Sequence, residues 1–143
     1  MNQNEQINKL NALMQVQNSN ISTNKTIITE NTNKLTELNK VHSGIKRQLQ
    51  NLEGNITTLS AIVVKEKSKW YGNKATSAND KKKELLKKSR NYKKGLKNLI
   101  EKIEEEINNC DNTIKVSQNH ITESQKKIVA AKQEKVKLKE ESK

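Results

Sequence analysis

Apolar residues recur at heptad spacing from Ile7 to Val63, which predicts one long helix that needs a partner along its length. With position a set at Ile7, the a column reads Ile7, Met14, Ile21, Ile28, Leu35, His42, Leu49, Ile56 and Val63. The d column reads Leu10, Gln17, Asn24, Asn31, Leu38, Ile45, Leu52 and Leu59. A second seam has Leu86, Lys93, Ile100, Ile107, Ile114, Ile121 and Ile128 at a, with Ser89, Leu96, Ile103, Cys110, Ser117, Ser124, Ala131 and Leu138 at d. Two seams predict two helices, so the expected class is all-α: a long antiparallel helical hairpin, or coiled coil, with 1–143 as one domain.

In an antiparallel pair, the a residues of one helix face the d residues of the other, and facing residue numbers share a constant sum. A sum of 145 sets Gln17 against Ile128, Asn24 against Ile121, Asn31 against Ile114, Ile28 against Ser117, Ile21 against Ser124 and Met14 against Ala131. Small or polar side chains thus meet aliphatic ones, giving layers of even volume. This register folds the chain about Gly72 and Asn73, with arm one over about 4–68, a turn over 69–79 and arm two over 80–140. Ser77 or Asn79 is the expected cap of the second helix. Sums of 138 and 152, one heptad away, stay open. Gly44 and Gly54, on outer c and f positions, mark a place for a local break and with it a three-helix arrangement.

Composition agrees with a narrow interface: 31% hydrophobic and 2% aromatic residues are too few for a thick globular core. No Pro and four Gly leave little to stop a helix, while abundant Asn competes for backbone hydrogen bonds. Cys110, at a d position, reads as a small buried thiol. No signal-peptide pattern opens the chain, and no apolar run approaches the roughly 18 residues of a membrane span. The expected location is cytoplasmic, with export alongside a partner left open. No catalytic constellation, metal ligand set or cofactor loop is found. His42 faces Ile103 on the seam and reads as a packed, hydrogen-bonded side chain, His120 lies on a flank, and Glu104, Glu105 and Glu106 point from successive helical faces. The expectation is a protein that is not an enzyme and carries no cofactor.

The columns beside the seam are unequal. Position e is polar throughout, whereas g carries Leu13, Ile27, Val41 and Ile62 on the first arm and Leu85, Tyr92 and Leu99 on the second. In an antiparallel pair both g columns share one side, so one flank is partly apolar and offers a face for a third helix. The blander reading, that these residues widen the core, carries equal weight for Leu85, Tyr92 and Leu99 near the turn. Charge is uneven too: residues 65–97 hold 13 basic and 3 acidic side chains, most of the chain's net +12. Such a tip could steer an acidic protein, an anionic membrane or nucleic acid, although a solvated lysine-rich face is the commoner outcome. Three aromatics, Trp70, Tyr71 and Tyr92, are too few for a base-stacking surface.

The turn itself carries a motif. Trp70-Tyr71-Gly72 is a W-x-G tripeptide, extended by Ala75 to W-x-G-x-x-A, at the hairpin centre that seam complementarity sets independently. In this the chain resembles the WXG-type helical-hairpin proteins of bacterial type VII secretion, and its length and long arms look most like their YwqH-like branch, associated with LXG toxins. The resemblance implies a non-enzymatic adaptor or targeting chaperone that binds the helical N-terminal region of an LXG-domain toxin, together with a second small helical protein in some assemblies. It gives Gly72 a tight backbone path and Trp70 a place across the helix ends or against a partner. Exported members of the superfamily often carry a Tyr-x-x-x-Asp/Glu signal, whereas Tyr92 is followed at the fourth place by Leu96, so a partner would supply that signal. Two other classes remain open: a self-associating coiled-coil scaffold joined through the g flank, and a nucleic-acid or membrane-surface binder acting through the basic tip.

Overall fold

The computed structural model describes residues 2–62 and 73–141. Two helices pack against each other as an all-α hairpin: α1 over Gln3–Ala61 and α2 over Asn73–Glu141. Asn2 caps α1 by accepting the Glu5 backbone N–H at 2.9 Å, and the Glu5 carboxylate sits in the first turn, where the helix dipole favours it. Contacts cluster in two compact units, one joining Met1–Thr36 with Asn108–Lys143 and one covering Glu37–Ile107. Contacts in a helix pair are local in this way because a residue touches only those about a turn away on its neighbour.

The seams are where the spacing puts them. Every described a and d position named above is at least half-buried. In the first unit the most deeply covered side chains are small ones on α2, namely Cys110, Ser117, Ser124 and Ala131, together with Gln17 from α1. In the second they are Leu96, Ile100 and Ile103. The register is read directly from side chains that meet across the pair. Lys135 Nζ donates to Asn11 Oδ1 at 2.8 Å in the first unit. In the second, His42 Nε2 meets Glu104 Oε1 at 2.9 Å and Lys93 Nζ lies 4.0 Å from Glu53 Oε1. Each of these three pairs sums to 146, one from the expected 145 and well away from either alternative. His42 is the packed, hydrogen-bonded side chain expected, but its partner is Glu104, next to the Ile103 it faces.

Polar seam residues are reconciled with the helices locally. Asn24 and Asn31 donate their side-chain amides to the carbonyls of Asn20 and Ile27, one turn back, at 2.8 and 2.9 Å. Thr26, Thr29, Thr36, Thr57, Thr58, Thr113 and Thr122 fold their hydroxyls back onto the fourth preceding carbonyl in the same way. Asn20 Nδ2 reaches Gln17 Oε1 at 3.5 Å, and among the described residues no buried side-chain nitrogen or oxygen lacks a partner.

The ends of the arms differ from expectation. α1 ends at Ala61, just before the β-branched run Ile62-Val63-Val64, a composition that loses side-chain freedom in a helix, and residues 63–68 of the expected first arm lie outside the described residues. α2 begins at Asn73, so residues 73–79 are helix, not turn, and neither Ser77 nor Asn79 is its cap. Between Gly72 and Asp80 the sequence has no Gly or Pro to halt it. Neither Gly44 nor Gly54 breaks α1, so a third helix does not arise there: one glycine costs about 1 kcal/mol, too little against the flanking turns. A Cβ at Gly44, Gly54 or Gly95 would meet nothing within 4 Å. Gly95→Ala is therefore expected to raise stability by roughly 0.5–1 kcal/mol in thermal melts followed by circular dichroism. Gln17→Leu, which replaces the buried amide opposite Ile128, should add about 1 kcal/mol in the same measurement.

Candidate functional site

Beside the seam, the g positions present most of the exposed large apolar side chains among the described residues, with Val129 and Val136 of α2 standing apart from them at b positions. In the second unit Val41 and Ile62 from α1 and Leu85, Tyr92 and Leu99 from α2 are 43% to 60% exposed, too open to count as widened core. Leu85, Tyr92 and Leu99 stand one heptad apart and so fall in a line about 10 Å from one to the next. In the first unit Leu13 is 41% exposed and lines an open groove with Leu10 and Leu138, whereas Ile27 is half-buried and offers only its outer part. Two residues that the g column alone does not reveal extend this side: Val16 and Val116 are exposed at c positions, the columns next to g on the helical wheel. Reading c and g together is the signal that finds them.

Away from Val129 and Val136, two further grooves among the described residues are lined mainly by polar side chains. On the first unit the g side continues into a groove lined by Gln17, Asn20, Asn24, His120, Glu123, Ser124 and Lys127. On the second, the opposite flank holds Lys46, Glu53, Lys97 and Glu101 around Leu49 and Ile100. Among the described residues, no group of three or more His, Cys, Asp or Glu is placed to hold a metal ion, and no helix is long and apolar enough to cross a membrane. Of the turn motif, Trp70 and Gly72 lie outside the described residues, as does the side chain of Ala75, whose backbone belongs to the first turn of α2.

The described part of the basic tip is the start of α2. Over residues 73–97 it carries ten Lys and Arg against Asp80 and Glu84. One of these lysines has a structural task. Continuing the heptad back from Leu86 puts Lys82 at d, and its Nζ donates to the carbonyl of Ser60 at 3.2 Å and to that of Ile62. These are carbonyls at the C-terminal end of α1, which have no acceptor role left inside the helix and lie at its negative pole. Lys88 pairs with Glu84 on its own helix at 3.0 Å with both side chains largely solvated, a contact worth a few tenths of a kcal/mol.

Compared with family models, curated proteins and solved structures, the chain matches none. The surface must be interpreted from its own chemistry.

Lys82→Met keeps the stem that shields the seam and removes the amine. It is expected to cost roughly 1 kcal/mol and to speed amide hydrogen exchange in the last turn of α1. Unchanged exchange there would show that the two carbonyls do not depend on the lysine.

Proposed function

We propose that this protein is a non-enzymatic adaptor that adds its hairpin to the helices of a partner, forming one bundle. The observation that carries this reading is the line of exposed apolar side chains at g positions, beside a seam that already shields its own a and d residues. A hairpin that needed nothing further would place polar residues there, as it does throughout the e column. A heptad-spaced apolar line is the pattern with which a further helix interdigitates.

The W-x-G-x-x-A motif at Trp70, Gly72 and Ala75 supports a more specific assignment by resemblance: the partner is the helical N-terminal region of an LXG-type toxin, presented to a type VII secretion machinery. The apolar flank, comprising Leu13, Ile27, Val41, Ile62, Leu85, Tyr92 and Leu99, is the surface assigned to that contact.

A tagged pull-down from the native cell at moderate salt, with co-purifying proteins identified by mass spectrometry, tests the assignment. Recovery of an LXG-domain protein with wild-type chain, reduced about tenfold or more by Leu13→Asp or Tyr92→Asp at unchanged helicity, is the expected result. Wild-type recovery by both variants would remove this face from the contact. Recovery of the chain alone, with a mass that grows with concentration, would replace the adaptor by a self-associating scaffold.

A further inference from the structure

The apolar line of the second unit is bordered on α2 by lysine. Lys81 lies one turn before Leu85, Lys88 one turn before Tyr92, and Lys102 just under one turn after Leu99, all at c positions and all exposed. Residues three or four apart are neighbours on a helix surface, so each apolar side chain of the line has a cation at its shoulder. Lys88 is engaged only with the solvated Glu84 carboxylate. The α1 edge of the same flank is uncharged at Gly44, Asn51 and Thr58, and the flank's acid is confined to the end away from the three lysines' centre, at Glu37 in the same c column and Glu106 in the g column of α2.

We propose that the segment docking on residues 37–107 is an acidic amphipathic helix, with apolar residues at heptad spacing and Asp or Glu beside them to meet Lys81, Lys88 and Lys102. The proposal rests on the docking reading above and states the chemistry of the partner. Charge complementarity selects the occupant. A second copy of this chain would bring the same three lysines to the interface, where like charges repel. A membrane surface would also attract the lysines, but the apolar line on α2 is one residue wide, and at the g positions of α1 Gln48 and Asn55 separate Val41 from Ile62. That leaves little apolar surface to bury among lipid chains. Repetition every heptad along a rigid helix is matched by a second helix, which has the same period, and is without use against a fluid bilayer.

The test is fluorescence anisotropy of the full chain with two labelled synthetic peptides of four heptads that share one leucine stripe. One carries Glu beside the stripe and the other Lys. Vesicles of phosphatidylserine and phosphatidylcholine serve as the third probe. The Glu peptide is expected to bind about tenfold or more tighter than the Lys peptide, the sum of three exposed charge pairs. That preference should shrink with added salt and in the Lys81→Gln, Lys88→Gln, Lys102→Gln triple variant, whose solvated positions leave folding intact by circular dichroism. Binding itself should fall in Tyr92→Asp.

Equal affinity for both peptides, lost in Tyr92→Asp, would overturn the acidic partner and leave helix docking standing. Binding of neither peptide, or binding indifferent to Tyr92→Asp, would overturn the proposal at this surface, while the toxin assignment is decided separately by the pull-down. Vesicle binding that displaces the Glu peptide and depends on the three lysines would overturn it in favour of a lipid surface.

Discussion

Burial in this protein is confined to one stripe on each helix, and the rest follows from how narrow that stripe is. A two-helix seam shields a and d and leaves g half open, so whatever occupies g faces water unless something else covers it. At the seam, volume is balanced layer by layer. Where α2 offers Cys110, Ser117, Ser124 and Ala131, the facing positions of α1 supply aliphatic side chains such as Leu35, Ile28, Ile21 and Met14. Matched layers of this kind fix which columns face each other but survive a slide by one heptad, since Ile21 would then meet Ala131 and Ile28 would meet Ser124, so it is the cross-pair contacts that select the register. The cross-pair contacts at Asn11, His42 and Glu53 agree on one register without any of them being strong.

Polar residues inside the stripe are tolerated because each carries its own answer. Asn24 and Asn31 turn back to their own helix instead of pairing across it, so their amides reach the seam already satisfied. Their contribution to specificity is consequently one of size and lost apolar area, not of a hydrogen bond that only one register can form. The threonines repeat the device on the outer faces, which is how a chain rich in Asn and Thr sustains a helix of 59 residues and another of 69.

The fold was legible in the sequence because heptad spacing and volume matching are properties of residue order alone. Both seams, the hairpin register to within one heptad and the burial of Cys110 could be read this way, while the choice among registers a heptad apart needed the cross-pair contacts. The helix ends could not. Val63 continues the a column in sequence, while Ile62-Val63-Val64 disfavours helix by propensity, and at Ile62 propensity wins. At the other side Asn73, Ser77, Asn79 and Asp80 have the composition of a turn, yet without Gly or Pro they accept helix once packed. The exposure of Val41, Ile62, Leu85, Tyr92 and Leu99 was visible as a column. Val16 and Val116 were not, because they widen the flank by one column where a strict heptad reading stops. The partial cover over Ile27 depends on how neighbouring side chains lean, which spacing does not encode.

Sequence separation across the hairpin gives the seam a direction in time. The Lys82 tie to Ile62 closes a loop of 20 residues, His42 with Glu104 spans 62, and Gln3 reaching the Leu138 carbonyl spans 135. Loop-closure entropy rises with length, so the contact nearest the tip is the cheapest to form and each closed layer shortens the gap to the next. On the ribosome the whole of α1 emerges before its partner strip in α2 exists, with its apolar stripe bare. Gln17, Asn24 and Asn31 break that stripe into short lengths. What weakens the finished seam therefore also keeps the waiting helix from presenting one long adhesive edge to other newly made chains.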